Sequence, residues 1–330
     1  MTKSRRHAPQ PSRFRRWWVR SVTGALLVCA AAAAVGGLRD PGGHARAAES
    51  SGGAVADVQP AVRIGAAHGA SYVPALQGRR PLFLLVLGSD ERHRLQGKRA
   101  DSIHIIGIDL AHRRATILGI PRDSWVAIPG FGHDKINASL QLGGPSLTVR
   151  TVESLTGIRI DFWILTTFKG FKAMVDGIGG LKIDVPYAMH DPYSGSNFEP
   201  GVRRMNGKQA LAFSRDRHST PGGDLGRSGN QGRVLLSALS KLRDRFAKDP
   251  GTLFDWIGVG WRQIDTDLSV STLLDLGLTA TQVASRDVNN VVVPATTGNV
   301  GAASVVFISS AAQPLYADMK HDGVIGARGR

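Results

Sequence analysis

Leu82-Phe83-Leu84-Leu85-Val86-Leu87-Gly88 is an almost unbroken apolar run, preceded by Pro81 and closed by the turn-forming Ser89-Asp90. It is too short for a typical helix and does not alternate in polarity, so it reads as a strand buried on both faces. Outward from it, further strands are expected over residues 102–108, 115–120, 161–167 and 181–185. Helices are expected over 146–155 and 169–176, the second stopped by Gly177-Ile178-Gly179-Gly180. Asn206 is placed to cap a helix over 207–211, after which residues 213–217 read as extended. The longest helix is expected over 228–246, where Val234, Leu235, Ala238, Leu239 and Leu242 recur at helical spacing. Another helix is expected over 268–284, with closing strands at 291–293 and 305–308. Strands interleaved with helices predict an α/β fold: a mixed central β-sheet with helices on both faces.

The rest of the chain sets this domain in context. Of 330 residues, 42% are hydrophobic and 20% charged, which excludes a coiled coil, a collagen-like fibre and a polytopic membrane protein. The net charge of +15 is uneven, because the first 48 residues carry nine Lys/Arg against one Asp. Lys3, Arg5, Arg6, Arg13, Arg15, Arg16 and Arg20 precede an uncharged stretch over 21–38. As a helix at ~1.5 Å per residue it approaches the ~30 Å hydrocarbon core, and the basic flank predicts a cytoplasmic N-terminus. A cleaved secretory signal competes, since Ala45-Arg46-Ala47 offers an A-x-A site. A basic nucleic-acid-binding tail has no reason to be followed by a greasy segment. Both leading readings export the domain.

The expected layout is therefore a basic cytoplasmic tail (1–20), a transmembrane signal-anchor (21–38), a flexible Ala/Gly/Ser-rich tether (39–77), one extracytoplasmic domain (78–320) and a C-terminal tail (321–330). The expected location is the cell membrane, as a single-pass protein. Cys29, the sole cysteine, excludes an intramolecular disulfide. Val28 stands where a lipoprotein signal wants a small residue, so Cys29 reads as an ordinary apolar position.

Charges concentrate in four segments: Gly88-Ser89-Asp90-Glu91-Arg92, Arg99-Ala100-Asp101-Ser102, Ile120-Pro121-Arg122-Asp123-Ser124, and Arg215-Asp216-Arg217 followed by Asp224 to Gln231. Asp90 and Arg122 fall just after expected strands and Asp101 just before one, so an antiparallel neighbour would bring Asp90 and Asp101 to the same edge. Removing one of two facing acids would then relieve repulsion. Arg215 and Arg217, two apart, share one face of an expected strand with Phe213. Arg227 and Gln231, four apart, stack on one side of a helix. Guanidinium forks bind phosphate oxygens bidentately, and a hard Mg²⁺ held by one or two carboxylates completes a pyrophosphate site. Singly, each Arg-Asp neighbour pair is more often a surface ion pair than a site. No H-E-x-x-H, G-x-S-x-G or P-loop pattern occurs, which leaves a zinc enzyme, a serine hydrolase of that type and a P-loop ATPase without support.

In order, the blocks GSDER, RADSIHIIGID, ILGIPRDSWV, DKINASLQLGG, TVESLTGIRIDFWI, FKAMVDGIGGLKIDVP and MNGKQALAFSRDRHSTPGGDLGRSGNQ resemble the LytR-CpsA-Psr family over roughly residues 82–242. The resemblance implies a membrane-anchored, Mg²⁺-dependent ligase. Such an enzyme moves a phosphorylated glycopolymer from a polyprenyl-pyrophosphate carrier to peptidoglycan, at the C6 hydroxyl of N-acetylmuramic acid. It implies Asp90 and Asp101 as metal-linked acids, with Arg99, Arg122, Arg215 and Arg217 as pyrophosphate-binding arginines. Arg227 and Gln231 are implied as further head-group contacts, and Lys135 falls in the family's KIN block. Ala100 and Ser102 stand where Ser and Thr are more usual.

An acceptor hydroxyl also needs a proton acceptor, for which Asp123 and Asp224 are the candidates. Arg99 and Arg122 complete the expected catalytic set. A lipid needs an apolar lining, expected from Phe168, Phe171, Met174 and Leu239. Two other functions stay open on the residues alone: a polyprenyl-pyrophosphate hydrolase, and a noncatalytic extracytoplasmic regulator that binds polyanions.

Overall fold

A computed structural model describes residues 62–66, 80–90, 99–261, 264–266 and 270–326. The expected basic tail and apolar anchor lie outside these residues. Among the described residues, no helix is long and apolar enough to cross a membrane.

The opening apolar run is β2 (Leu82–Ser89). It sits in a seven-stranded sheet with β1 (Val62–Ala66), β3 (Ala100–Asp109), β4 (Arg114–Gly119), β7 (Phe162–Thr167), β12 (Ile264–Thr266) and β13 (Val288–Val292), ordered β12-β1-β7-β2-β3-β4-β13. β2 runs antiparallel to β3 and parallel to β7, so the sheet is mixed as expected. Both its faces are covered, which explains why β2 lacks alternation. On one face Leu85, Leu87, Ile103 and Ile105 pack with Leu147 and Val152 of α1 (Ala138–Thr156) and with Tyr316 and Met319 of α7 (Ala312–Asp322). On the other, Leu82, Ile108 and Ile117 pack with Leu235 and Leu239 of α4 (Asp224–Phe246) and with Leu273 and Leu276 of α6 (Val270–Gln282).

Smaller elements decorate this sandwich. Two-stranded ladders join β5 (Trp125–Ile128) to β6 (Gly132–Lys135), β8 (Leu181–Val185) to β11 (Gly201–Met205), β9 (Met189–Asp191) to β10 (Ser196–Phe198), and β14 (Ala295–Val300) to β15 (Ala303–Ile308). The helices α2 (Phe168–Gly177), α3 (Gly207–Arg215) and α5 (Thr252–Trp261) complete the set among the described residues.

The structure corrects several expectations. Residues 62–66, placed in the tether, form β1 and pair with β7 and β12 in the central sheet. The boundary at 320 falls inside α7. Val324 and Ile325 beyond it are buried, and the Ile325 amide donates to Thr116 Oγ1 at 2.9 Å. Residues 305–308 do not close the sheet but belong to the separate β14–β15 hairpin. Helix α1 begins eight residues before the expected start, breaks at Gly143 and Gly144, and resumes at Pro145, which suits the first turn of a helix.

Residues 213–215, expected to be extended, are the last turn of α3. Asn206 accepts from the Gln209 amide while the Gln209 side chain accepts from the Asn206 amide, and this capping box commits the following run to a helix. Arg215 therefore ends a helix, and Arg217 lies in the loop beyond it. Phe213 is fully buried rather than sharing a face with them. Helix α4 lies close against β13, because Gly232 presents no Cβ where one would collide with the Asn290 side chain. The Asn290 Nδ2 instead donates to the Gly229 carbonyl at 2.9 Å.

Candidate functional site

The site begins with an irregularity in β2–β3. Gly88 pairs with Ser102 but Ser89 pairs with Ala100, so Asp101 is the extra residue of a bulge. Bulges re-aim side chains. Here Asp101 accepts a hydrogen bond from Arg122 Nη1, which follows β4 on the neighbouring chain segment. Asp90 stands half-buried at the end of β2, so both acids do sit at the same end of the ladder. Among the described residues no group of three or more His, Cys, Asp or Glu side chains is arranged to hold a metal.

Beside this bulge opens a cavity of about 470 Å³. Arg122, Arg215, Arg217, Arg227 and Gln231 line one part of it, together with Asp101. Another part of its wall is apolar, with Phe168, Phe171, Leu211 and Val234 contributing, and Asp191 and His218 also line it. Two of the four side chains expected to line a lipid pocket do so. Met174 and Leu239 instead pack into the core between the sheet and the helices.

Each basic group is held differently. Arg215, at the end of α3, stacks over the Phe168 ring with its guanidinium carbon 5.1 Å from the centroid. Arg227 is buried on the first turns of α4 and pairs with Asp224 at 3.2 Å; burial pulls its pKa below the ordinary arginine value. Burial acts the same way on Arg122, but the Asp101, Asp123 and Asp224 carboxylates outweigh it and hold the guanidinium charged. Gln231, expected as a head-group contact, uses its Nε2 to donate to the backbone carbonyls of Asp101 and Ser214, 3.2 Å each. It thus joins the bulge, the end of α3 and helix α4. Arg217 is exposed in the loop that follows α3.

Arg99 and Lys135 do not line this cavity. They border a second one of about 610 Å³, which Arg122 and Arg217 also line. Asp123 and Asp224 lie on its wall and are hydrogen-bonded to each other. Burial pushes both carboxyls up. For Asp123 the bond from Asp224 and the charges of Arg122, Lys135 and Arg227 reverse that and leave it below the usual range. For Asp224 burial, with the adjoining Asp123 charge, prevails and its pKa is raised. Lys135 Nζ lies 3.4 Å from Asp123 Oδ1, and Arg99 Nε donates to Gln141 Oε1 at 3.4 Å.

The sequence reading missed three contributors. Asn137, in the KINA stretch, is buried and donates from Nδ2 to Asp123 Oδ1 at 3.4 Å. Asp191 is buried at the end of β9, its Oδ2 lies 3.1 Å from His218 Nδ1, and both residues line the first cavity. His104, inside β3, ties the sheet to α4 through the Ser228 carbonyl. Asn137 and His104 fall within the blocks quoted above, but their uncharged or lone character gave no reason to single them out, and the fold supplies their partners.

Comparison with known proteins places this architecture. The LytR_cpsA_psr family profile matches residues 54–320. The chain belongs to this family. Among curated relatives, the Bacillus licheniformis protein named polyisoprenyl-teichoic acid–peptidoglycan teichoic acid transferase TagU is 36% identical over 176 residues, covering 50% of this chain and 56% of that protein. The chain thus matches little more than half the length of that relative. Of solved structures, Bacillus subtilis TagV aligns with a TM-score of 0.64 at 24% identity, over 72% of this chain and 94% of that one. A LytR-CPS2A-psr family protein, TagT, with bound octaprenyl pyrophosphate lipid aligns with a TM-score of 0.57 at 21% identity, over 75% and 92%. These likenesses establish the shared fold, an α/β domain built on a mixed sheet.

Proposed function

We propose that this protein transfers a phosphate-linked glycopolymer from a polyprenyl-pyrophosphate carrier to peptidoglycan. The observation that carries the reading is the first cavity itself, in which an apolar wall meets a cluster of four arginines. A lipid tail fits the first part and a pyrophosphate the second. The relatives' names support it: TagU is named a teichoic acid transferase, and TagT holds octaprenyl pyrophosphate.

The chemistry is a phosphoryl transfer. The acceptor oxygen attacks the phosphorus that bears the glycan, the bond to the bridging oxygen breaks, and polyprenyl phosphate leaves. Such a reaction needs charge neutralisation and positioning more than covalent catalysis. Arg122, Arg215, Arg217 and Arg227 neutralise the nonbridging oxygens, while Gln231 holds the Asp101 bulge and α4 in register. The hydroxyl proton passes to the Asp123–Asp224 pair. The residues fit Mg²⁺ as an oxygen-only partial set, Asp90 and Asp101, which substrate oxygens and water would complete. When bound, the ion offsets negative charge on the pyrophosphate. The anchor over 21–38 and an extracytoplasmic position belong to the same proposal and rest on the sequence.

The test incubates the protein with Mg²⁺, a polyprenyl-pyrophosphoryl oligosaccharide and a peptidoglycan fragment. A phosphodiester-linked product, detected by mass spectrometry, is expected. Release of free oligosaccharide phosphate alone, with acceptor present, would show a hydrolase instead.

A further inference from the structure

The loop after α3 carries Arg217 and His218, and two buried carboxylates fasten it to the β9–β10 hairpin. Asp216 accepts from Ser196 Oγ of β10 at 2.6 Å and from the Ser219 amide at 3.0 Å. Asp191, at the end of β9, accepts from the Tyr193 amide through Oδ1 at 2.9 Å, while its Oδ2 lies 3.1 Å from His218 Nδ1. The Tyr193 ring rests against the imidazole, with centroids 4.9 Å apart and planes tilted by 42°. His218 is thus held at two points by the hairpin, and both it and Asp191 line the first cavity.

Asp191 is 1% exposed, and a carboxylate at that depth needs a cation. Burial pushes its carboxyl up, but the bonds from His218 and the Tyr193 amide outweigh this and leave it below the usual range. An ionised carboxylate only accepts, so His218 Nδ1 is the donor and Nε2 is left for a ligand of the cavity. The imidazole side chain is 47% exposed, which keeps it in exchange with water. The other charged groups lining this cavity are Arg122, Arg215, Arg217 and Arg227 against Asp101. On the hairpin, His190 and Glu199 lie 3.5 Å apart and pair with each other.

We propose that His218 is the proton donor to the departing polyprenyl phosphate, with Asp191 as its positioning residue. This deepens the proposed function and rests on it. His218 lines the first cavity and not the second, and the apolar wall of the first suits the prenyl chain; Asp123 and Asp224 line the second and not the first. The acid therefore stands beside the lipid, apart from the carboxyl pair. As the bond between the glycan-bearing phosphorus and the bridging oxygen breaks, its electron pair stays on that oxygen, and the proton on Nε2 passes to it. Polyprenyl phosphate leaves as the monoprotonated ester and the imidazole is left neutral. Water then restores the proton to the half-exposed ring. The charge of Asp191 favours the imidazolium, and a bound pyrophosphate offsets the four arginines that oppose it.

Two measurements on the full-length protein test this. They use His218→Gln, which keeps a donor amide without a titratable proton, and Asp191→Asn, which keeps an acceptor without the charge. The first is calorimetric binding of octaprenyl pyrophosphate in mildly alkaline buffers of different ionisation enthalpy. Wild type is expected to take up a proton that His218→Gln does not, and equal uptake in both overturns the inference. The second is the pH dependence of kcat. Loss of a general acid costs about 10²-fold or more, so His218→Gln should lower kcat by that factor, leave donor KM little changed and lose the alkaline limb of the profile. In Asp191→Asn the limb should move to lower pH, since the imidazolium has lost its counter-charge. An intact limb in His218→Gln, or a loss confined to donor KM, overturns the inference. Where wild type forms no phosphodiester but releases oligosaccharide phosphate, the same profile is read on that release. A limb lost there in His218→Gln upholds the acid while refuting transfer to peptidoglycan.

Discussion

His104 Nε2 lies 3.1 Å from the carbonyl oxygen of Ser228, while its Nδ1 lies 3.1 Å from Ser102 Oγ. A carbonyl only accepts, so Nε2 carries the proton and Nδ1 accepts from the serine hydroxyl. The ring is wholly buried and neutral, and burial lowers its pKa to about 4, against the opposing Ser228 bond. Between pH ~6.5, where an unfolded histidine titrates, and about 4, the unfolded chain binds a proton that the folded one refuses. Stability should be whole above this window and fall as pH drops through it, by on the order of 3 kcal/mol. Asp109 and Asp191, whose pKa values are lowered, lose their contributions at more acid pH. Urea unfolding at several pH values checks this: His104→Leu should be less stable at pH 7 yet flatter across the window, and parallel curves would refute the assignment.

Asp101→Ala should destabilise the protein, reversing the expectation that two facing acids repel. The structure pairs Asp101 with Arg122, both side chains mostly buried, and a hydrogen bond to a charged group contributes about 1.5–3 kcal/mol. Asp101→Asn keeps an acceptor for Arg122 and should recover much of the loss without recovering Mg²⁺-dependent transfer. Thermal melts compared with transfer assays separate the two effects, and a stabilised Ala variant would favour the repulsion argument.

Arg217→Lys keeps the charge but removes the fork. Because Arg217 borders both cavities, loss of one charge-assisted bond at about 1.5–3 kcal/mol should weaken polyprenyl-pyrophosphate binding roughly 10- to 150-fold. Arg113→Lys, in the turn between β3 and β4, serves as control and should change binding little. Equal, small losses in the two variants would mean that a diffuse basic surface attracts the ligand.

A soluble fragment beginning at Val73 lacks β1, whereas one beginning at Gln59 keeps it. Since β1 lies between β7 and β12, the shorter fragment exposes the edge of β7 and should melt at a lower temperature and aggregate sooner. Matching melting curves would show that residues 62–66 contribute nothing to the sheet.

The central strands were legible because their apolar runs are dictated by burial on both faces, and β8, outside the central sheet, because its one-sided burial alternates Leu181, Ile183 and Val185 with exposed residues. Helix α4 was legible because its apolar stripe is long. Harder to read were elements defined by pairing rather than by hydrophobicity: β14, with the sequence Ala-Thr-Thr-Gly-Asn-Val, is mostly exposed and exists through its ladder with β15. In the site, Arg122 and Arg227 could be singled out by charge, but nothing local distinguishes Arg99, on the second cavity, from Arg215, on the first. Asn137 carries no charge, and its burial beside Asp123 is a product of the tertiary fold alone.

The bond from Gln231 to the Asp101 carbonyl spans 130 positions of chain, and the one from Ile325 to Thr116 spans 209. Contacts of such reach form late, because long loops must close before they are made. A chain emerging N-terminus first therefore presents β2, the bulge and Arg122 well before α4 or the hairpin that walls the second cavity exists. The segment 122–124 acquires its partner at Val306 only when nearly the whole polypeptide is available. Competence thus arrives as a final event in biogenesis, and a truncated or still-threading chain holds the charged residues without the architecture that gives them a purpose.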